Sequence, residues 1–247
     1  MIIYKNIFRN GDNKMELSKR LNWILEKTDK CTSIIDVGTD HGYIPIELIK
    51  RNMAAKVIAT DINKEPLEKA KINASLENVE DFIDLRRGAG LKPVKINEGQ
   101  GLIIAGMGGN LIRDILKEDM KKVEKFNYII LQPAQNPEVL REYLYNNEYE
   151  ILDEDICFDE GNYYELFKVK YAKNNKTKIH DKFFYEVSPV MLKSKNETFK
   201  NYLISKIEKN KKIISYIKEN TDSAKERREE LYEKSQQLEK LIKIFNE

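Results

Sequence analysis

Apolar residues recur along this chain in two rhythms. Leu17, Leu21, Ile24 and Leu25 fall at helical spacing, which predicts an amphipathic helix over residues 15–27. Short apolar runs then alternate with helical stretches. Residues 33–37, 56–60, 82–85, 102–105 and 128–131 predict strands, and 46–51, 65–76 and 110–117 predict helices between them. Most of these strands carry apolar residues at successive positions rather than on one face only. That is the pattern of an α/β fold whose doubly wound, mainly parallel sheet is covered on both sides.

The rhythm changes after Arg141. Residues 149–158 and 163–171 predict two more strands joined by the turn-rich tetrapeptide Asp159-Glu160-Gly161-Asn162, a closing antiparallel hairpin. The polar stretch 172–178 predicts an exposed connection. From Lys195 onward there is no glycine or proline. Leu203, Ile207, Asn210, Ile214 and Ile217 follow a 4-3-4-3 spacing, as do Leu231, Ser235, Leu238, Ile242 and Phe245, with the turn-forming run 220–223 between them. The expected arrangement is an α-helical coiled-coil hairpin; two helices packed flat on the first domain are the alternative. The expected organisation is an N-terminal extension (1–14), a catalytic-type domain (15–172) and a helical domain (179–247). Met15 is a second candidate start.

Composition narrows the picture. Hydrophobic residues are 41% of the 247, enough for a sizeable core, and the 43 basic and 41 acidic side chains nearly cancel to +2. That excludes a globally basic nucleic-acid binder but leaves room for a local basic face. One such stretch exists: between Lys193 and Lys218 eight lysines face only Glu197 and Glu208. It suits phosphates, or is a solvated helix face. Two histidines, and Cys31 and Cys157 without metal-type spacing, speak against zinc and for reduced thiols. No apolar run approaches the ~18 residues of a membrane helix. Lys5, Arg9 and Asp12 interrupt the N-terminus where a signal peptide would need an apolar stretch. The expected location is the cytoplasm.

The candidate chemistry sits where strands end. Asp36-Val37-Gly38-Thr39-Asp40-His41-Gly42-Tyr43-Ile44-Pro45 follows the first strand. Its G-x-x-x-G spacing is not the dinucleotide G-x-G-x-x-G, and it lacks the Lys-Ser/Thr of a P-loop. Its acidic groups would repel a pyrophosphate but suit a cationic nucleoside cofactor such as S-adenosylmethionine (SAM). Asp61 ends the second strand, 25 positions after Asp36, close to the ~20 at which an acidic residue meets ribose hydroxyls; a helix N-cap is the other reading. Gly88-Ala89-Gly90 follows the third strand and Gly106-Met107-Gly108-Gly109 the fourth. Their glycines permit close backbone approach to a ligand, and Met107 either packs on a base or fills core. Gln132-Pro133-Ala134-Gln135-Asn136-Pro137 follows the fifth, with three amides suited to a base edge or to a structural turn. Loops at the C-terminal ends of successive strands converge on one crevice.

Together these residues resemble the bacterial tRNA (adenine-N1)-methyltransferases that act on adenine 22. The resemblance rests on Leu17-Ser-Lys-Arg-Leu21, the Asp36–Pro45 loop, Ile104-Ala-Gly-Met-Gly-Gly109, Leu131-Gln-Pro133 and Tyr163-Tyr-Glu165, and it covers about residues 15–171. It implies a class I, Rossmann-like methyltransferase domain that uses SAM, needs no metal, binds tRNA also through a coiled-coil appendage, and works as a monomer. By the same resemblance the cofactor is held by Asp36, Gly38, Asp40, His41, Gly42, Asp61, Ile62, Gly88, Ala89, Gly90, Ala105, Gly106, Met107 and Gly108. Asp40 and Tyr43 are the implied catalytic pair, with cofactor-side, capping or packing roles as alternatives. Arg20, Gln132, Pro133, Lys206 and Lys209 are the implied tRNA contacts. Ala89 departs from the pattern, since methyltransferases often have there an acidic residue that contacts the cofactor's adenine amine. That contact is lost or supplied by backbone. The 61–66 loop matches only loosely. Competing readings are a non-catalytic RNA-binding protein on a methyltransferase fold, a coiled-coil adaptor, and a methyltransferase with another substrate.

Overall fold

The computed structural model describes residues 16–175 and 181–245. The expected N-terminal extension, Met15, and residues 176–178 of the polar connection lie outside the described residues.

The Ser18 hydroxyl accepts from Leu21 N at 3.2 Å and opens α1 (Lys19–Lys27). β1 (Cys31–Val37), α2 (Tyr43–Lys50), β2 (Ala54–Asp61) and α3 (Lys64–Leu76) follow. Then come β3 (Ile83–Arg87), β4 (Gly101–Ala105), α4 (Gly109–Glu118), α5 (Met120–Val123) and β5 (Tyr128–Gln132). α6 (Pro137–Asn146), β6 (Tyr149–Asp159), β7 (Asn162–Tyr171) and α7 (Phe183–Glu186) complete the first part of the chain.

Among the described residues one seven-stranded sheet has the order β3-β2-β1-β4-β5-β7-β6. β1 to β5 run parallel, and β7 is antiparallel to both β5 and β6. Alternate residues of the same strands enter different cores. Ile35, Val37, Leu102 and Ile104 pack with α4 and α6 on one face. Ile34, Ile103 and Ile130 pack with Trp23, Ile24 and Leu48 of α1 and α2 on the other. Burial on both faces explains the unbroken apolar runs, and it leaves the strand ends as the place for polar chemistry.

Several elements differ from the sequence expectation: α1 starts at Lys19 and β2 at Ala54, and the short α5 and α7, with a further short helix at Pro189–Ser194, were not anticipated. α2 begins at Tyr43 rather than at residue 46; Pro45 sits in the first turn, where its missing N–H leaves no bond unmade. Phe82 belongs to a short 3-10 turn (Glu80–Phe82), half exposed, before β3 starts. α6 was not anticipated. It starts with Pro137 at its first position and buries Leu140, Arg141, Tyr143, Leu144 and Tyr145.

Arg141 is wholly buried. Its Nε donates to Glu154 at 2.9 Å, its Nη2 also meets Glu165, and its Nη1 donates to the Tyr185 carbonyl at 2.8 Å. The Tyr145 hydroxyl donates to Glu154. Asn146 Nδ2 meets the Tyr185 hydroxyl at 2.9 Å. Glu165, part of the Tyr-Tyr-Glu motif, thus belongs to a buried ionic knot that ties α7 to the hairpin.

The chain divides into two compact units after Val187. The second unit holds α8 (Pro189–Ser194), α9 (Glu197–Tyr216) and α10 (Asp222–Ile244). α9 and α10 run antiparallel. The Phe199 ring lies 6.3 Å from that of Phe245, Asn210 Nδ2 reaches Ser235 Oγ at 3.2 Å, and Arg228 donates to the Ile217 and Glu219 carbonyls at 3.1 and 2.9 Å. Phe199, Leu203, Ile207, Leu231, Ser235 and Leu238 are buried between them.

Candidate active site and cofactor cleft

The parallel order makes β1, β2, β3, β4 and β5 end on one edge, and their loops are laced together there. Gly38 and Thr39 donate from their backbone N–H to the Thr60 carbonyl at 2.8 and 3.0 Å. Gly88 N donates to the Asp61 carbonyl at 2.9 Å, and the Thr60 hydroxyl to the Gly90 carbonyl at 3.1 Å. Gly106 N donates to the Gln132 carbonyl, Ala134 N to that of Met107, and Gly109 N to that of Gln135, at 2.9, 2.8 and 2.7 Å. A Cβ on Gly109 would fall 2.2 Å from the Asn136 carbonyl oxygen, so only glycine lets these two loops close.

Two cavities open at this edge. The larger, about 220 Å³, is lined by Val37, Gly38, Thr60, Asp61, Ile62, Gly88, Ala89, Gly90 and Met107, with Leu111 and Ile115 of α4. The smaller, about 40 Å³, is lined by Arg20, Asp36, Gly38, Thr39, Asp40, Tyr43 and Ala105. Gly38 is the residue they share. It sits at φ +80°, and a Cβ there would lie 2.2 Å from the Met107 methyl.

The electrostatics of this edge are acidic. Burial pushes the Asp36 carboxyl up to about 7; the nearby Thr39 hydroxyl, short of a fully formed hydrogen bond, pulls it back, and the Asp61 charge adds to the rise. Asp61 is raised as well, by burial first; the Asn63 N–H it accepts at 2.7 Å opposes this, and the Asp40 charge adds to it. Neither carboxyl has a basic partner among the described residues. A cation placed between them would relieve both desolvation and repulsion. The cleft therefore fits a nucleoside that carries positive charge, and the apolar side chains of Ile62, Met107 and Ile115 fit its base.

The structure gathers most of the expected residues. Asp36, Gly38, Asp40, Tyr43, Asp61, Ile62, Gly88, Ala89, Gly90, Ala105 and Met107 all line one cavity or the other. His41, Gly42, Gly106 and Gly108 line neither; a Cβ on Gly42 would press on Ala70, 2.9 Å away. Arg20 reaches the small cavity from α1, its guanidinium 5.2 Å over the Tyr164 ring. Gln132 and Pro133 are buried. The Gln132 amide is turned inward, accepting from Arg20 Nη1 and donating to the Pro133 carbonyl at 2.8 Å. The exposed amides of that loop are Gln135 and Asn136. Lys206 and Lys209 lie on α9 in the second unit, Lys206 with its ammonium 4.8 Å over the Tyr202 ring. Sequence reasoning missed Thr39, Thr60, Leu111 and Ile115. The last two carry a legible signal, an apolar i, i+4 pair on the helix that follows the Gly106–Gly109 loop.

The model of the TrmK family, tRNA (adenine(22)-N(1))-methyltransferase, matches residues 34–242. The tRNA (adenine(22)-N(1))-methyltransferase of Bacillus subtilis is 29% identical over 236 residues, 93% of this chain and 98% of the relative. The crystal structure of the B. subtilis m1A22 tRNA methyltransferase TrmK matches at TM-score 0.80 and 28% identity, over 93% of this chain and 100% of that one. The structure of M. capricolum TrmK in complex with the cofactor product S-adenosyl-homocysteine matches at TM-score 0.77 and 28% identity, over 93% of this chain and 99% of that one. Among the described residues no helix is long and apolar enough to cross a membrane. With a match that spans the catalytic edge, the hairpin and most of the second unit, this chain belongs to the tRNA (adenine(22)-N(1))-methyltransferase family.

Proposed function

We propose that the larger cavity holds the adenosine of SAM, that the smaller one receives the target adenine, and that the methyl group crosses beside Gly38. The observation that carries this is the pair of cavities meeting at one side-chain-free residue, with Asp36 lining one and Asp61 the other, neither with a basic partner among the described residues. The family's reaction places a methyl group on N1 of adenine 22 in tRNA. SAM supplies that methyl in activated form, on a sulfonium.

Asp61 accepts from the ribose hydroxyls, and Ile62, Ala89 and Ile115 enclose the adenine of the cofactor. Asp36 faces the cationic end. Adenine N1 has a free lone pair at neutral pH, so no strong base is needed, and the site works mainly by alignment. Methylation leaves positive charge on the target ring. The Asp40 carboxylate, on the wall of the small cavity, stabilises that charge and accepts from the exocyclic amine. Tyr43 stacks on the base. Arg20, anchored by Gln132, closes the opposite wall. The helical domain, read as a coiled-coil hairpin over 179–247, offers Lys206 and Lys209 to the tRNA backbone. On this reading the enzyme acts as a cytoplasmic monomer.

The test is transfer from labelled SAM to an unmodified tRNA transcript, followed by nucleoside analysis. N1-methyladenine that disappears when adenine 22 is replaced is the expected result. Asp40→Ala and Tyr43→Ala are expected to lose turnover with tRNA binding intact; wild-type turnover in both would refute their assignment.

A further inference from the structure

His41 lines neither cavity, yet it is the most constrained residue of the catalytic loop. Its φ is 60° and that of Gly42 is 73°, two successive left-handed residues. Positive φ is uncommon outside glycine, histidine entering it more readily than most residues, and neighbouring contacts fix it there. Three contacts do so. Asn73 Nδ2 of α3 donates to the His41 carbonyl at 2.9 Å. Nε2 lies 3.3 Å from Asp40 Oδ1. The imidazole stacks on Tyr43, ring centroids 5.2 Å apart and planes within 6°.

α3 is built to hold this loop. Glu65, Lys69 and Asn73 are four residues apart and so share one face. Glu65 and Lys69 pair at 2.8 Å on that face. Ala70 closes on Gly42. A strained residue that touches both side chains assigned to the target base, while lining no ligand space itself, is placed to orient them.

We propose that His41 is a positioning residue for methyl transfer: its imidazole backs one face of the Tyr43 ring, so that the other face is held ready for the target adenine, and its contact with Asp40 fixes the carboxylate beside the same base. This rests on the reading of Tyr43 as the residue that stacks on the base. The arrangement is a three-layer stack of imidazole, phenol and purine. Its fixed middle layer matters most when the purine becomes cationic, because a positively charged ring gains from an aromatic face.

Two substitutions separate the ring from the strain. His41→Asn tolerates the left-handed backbone and keeps a polar group near Asp40 but removes the ring. His41→Phe keeps the ring and removes the polar contact. The expected result is a fall in kcat of about threefold to tenfold for His41→Asn, the range an aromatic pair commands, with part of the loss restored in His41→Phe, which returns the ring without the Asp40 contact. SAM affinity by calorimetry is expected to stay within about twofold in both, which also reports that the loop is folded. Wild-type kcat in His41→Asn would overturn the proposal. So would a loss of SAM affinity in step with activity, which would make His41 a cofactor ligand, or no recovery in His41→Phe. Tyr43→Ala distinguishes the levels of failure. If it keeps turnover, the reading of Tyr43 falls and the proposal with it. If it loses turnover while His41→Asn does not, only the proposal falls.

Discussion

Arg20 of α1 and Gln132 at the end of β5 are joined by a 2.5 Å hydrogen bond from Nη1 to Oε1, across 112 positions of sequence. Arg20 N also donates to Asp159 Oδ2 at 3.0 Å, at the end of β6. The Arg20 backbone is thus held by β6 and its guanidinium, on the wall of the small cavity, by β5. Gln132→Leu keeps volume but removes the acceptor. It is expected to cost about 1–3 kcal/mol of stability, the range for a buried polar group that loses its partner. It is also expected to lower turnover on tRNA while SAM affinity holds. Thermal unfolding, calorimetry and steady-state kinetics on the one variant check all three, and unchanged turnover would separate Arg20 from the reaction.

If Asp36 faces the cationic end of SAM, cofactor binding depends on pH. Its carboxyl is raised from 3.8 to about 7 by burial, against the pull of Thr39 and with the push of Asp61. The raised value means that the fold favours the protonated form, so this group's contribution to stability is full below pH 3.8 and is lost as pH rises through about 7. A bound cation favours the ionised form instead. SAM affinity is expected to rise about tenfold between pH 6 and pH 8, following the ionised fraction of a group that titrates midway. Asp36→Asn is expected to bind weakly at every pH in that range. A profile equally steep in the variant would assign the titration elsewhere.

Ala89 lines the larger cavity with Ile62 and Gly88; if that cavity holds the adenosine of the cofactor, a carboxylate at this position would face its amine. Ala89→Asp is expected to tighten SAM binding by about threefold to tenfold, the return on one charge-assisted hydrogen bond after desolvation. Calorimetry on the purified variant is the check. Unchanged or weaker binding would show that the backbone already serves that amine.

Lys206 and Lys209 are assigned to phosphates. Changing both to Gln is expected to lower the slope of log K against log salt for tRNA by about 1.4–1.8, the counterions released by two contacts. Filter binding across a salt series, with SAM affinity as the control, measures it. A slope that does not change would return both lysines to the role of a solvated helix face.

Much of this architecture is legible in the residues because both faces of the sheet are covered. β1, β4 and β5 show as apolar runs, and an acidic residue, a glycine or an amide lies at the end of each, on the edge where the two cavities open. The hairpin shows through its turn residues. α6 does not show, because its buried face carries Arg141, which reads as solvent-facing until Glu154 and Glu165 arrive from β6 and β7 to neutralise it. Asn136-Pro137 is the one local signal of its start. Gln132 misleads for a related reason. A glutamine beside a proline in a loop reads as exposed, and only the distant Arg20 turns it inward. Long-range partners of polar groups are what periodicity cannot carry.

Gly38 has a consequence for the transfer step of each catalytic cycle. The two cavities have that single residue in common, at φ +80°, and a Cβ on it would lie 2.2 Å from the Met107 methyl. If the larger cavity holds the cofactor and the smaller the target base, sulfur and N1 must approach each other there before the methyl can pass. Any side chain at position 38 would then obstruct the path of the methyl as well as strain the backbone. The order in which the two substrates arrive would be unaffected, and the loss would fall on the transfer step itself.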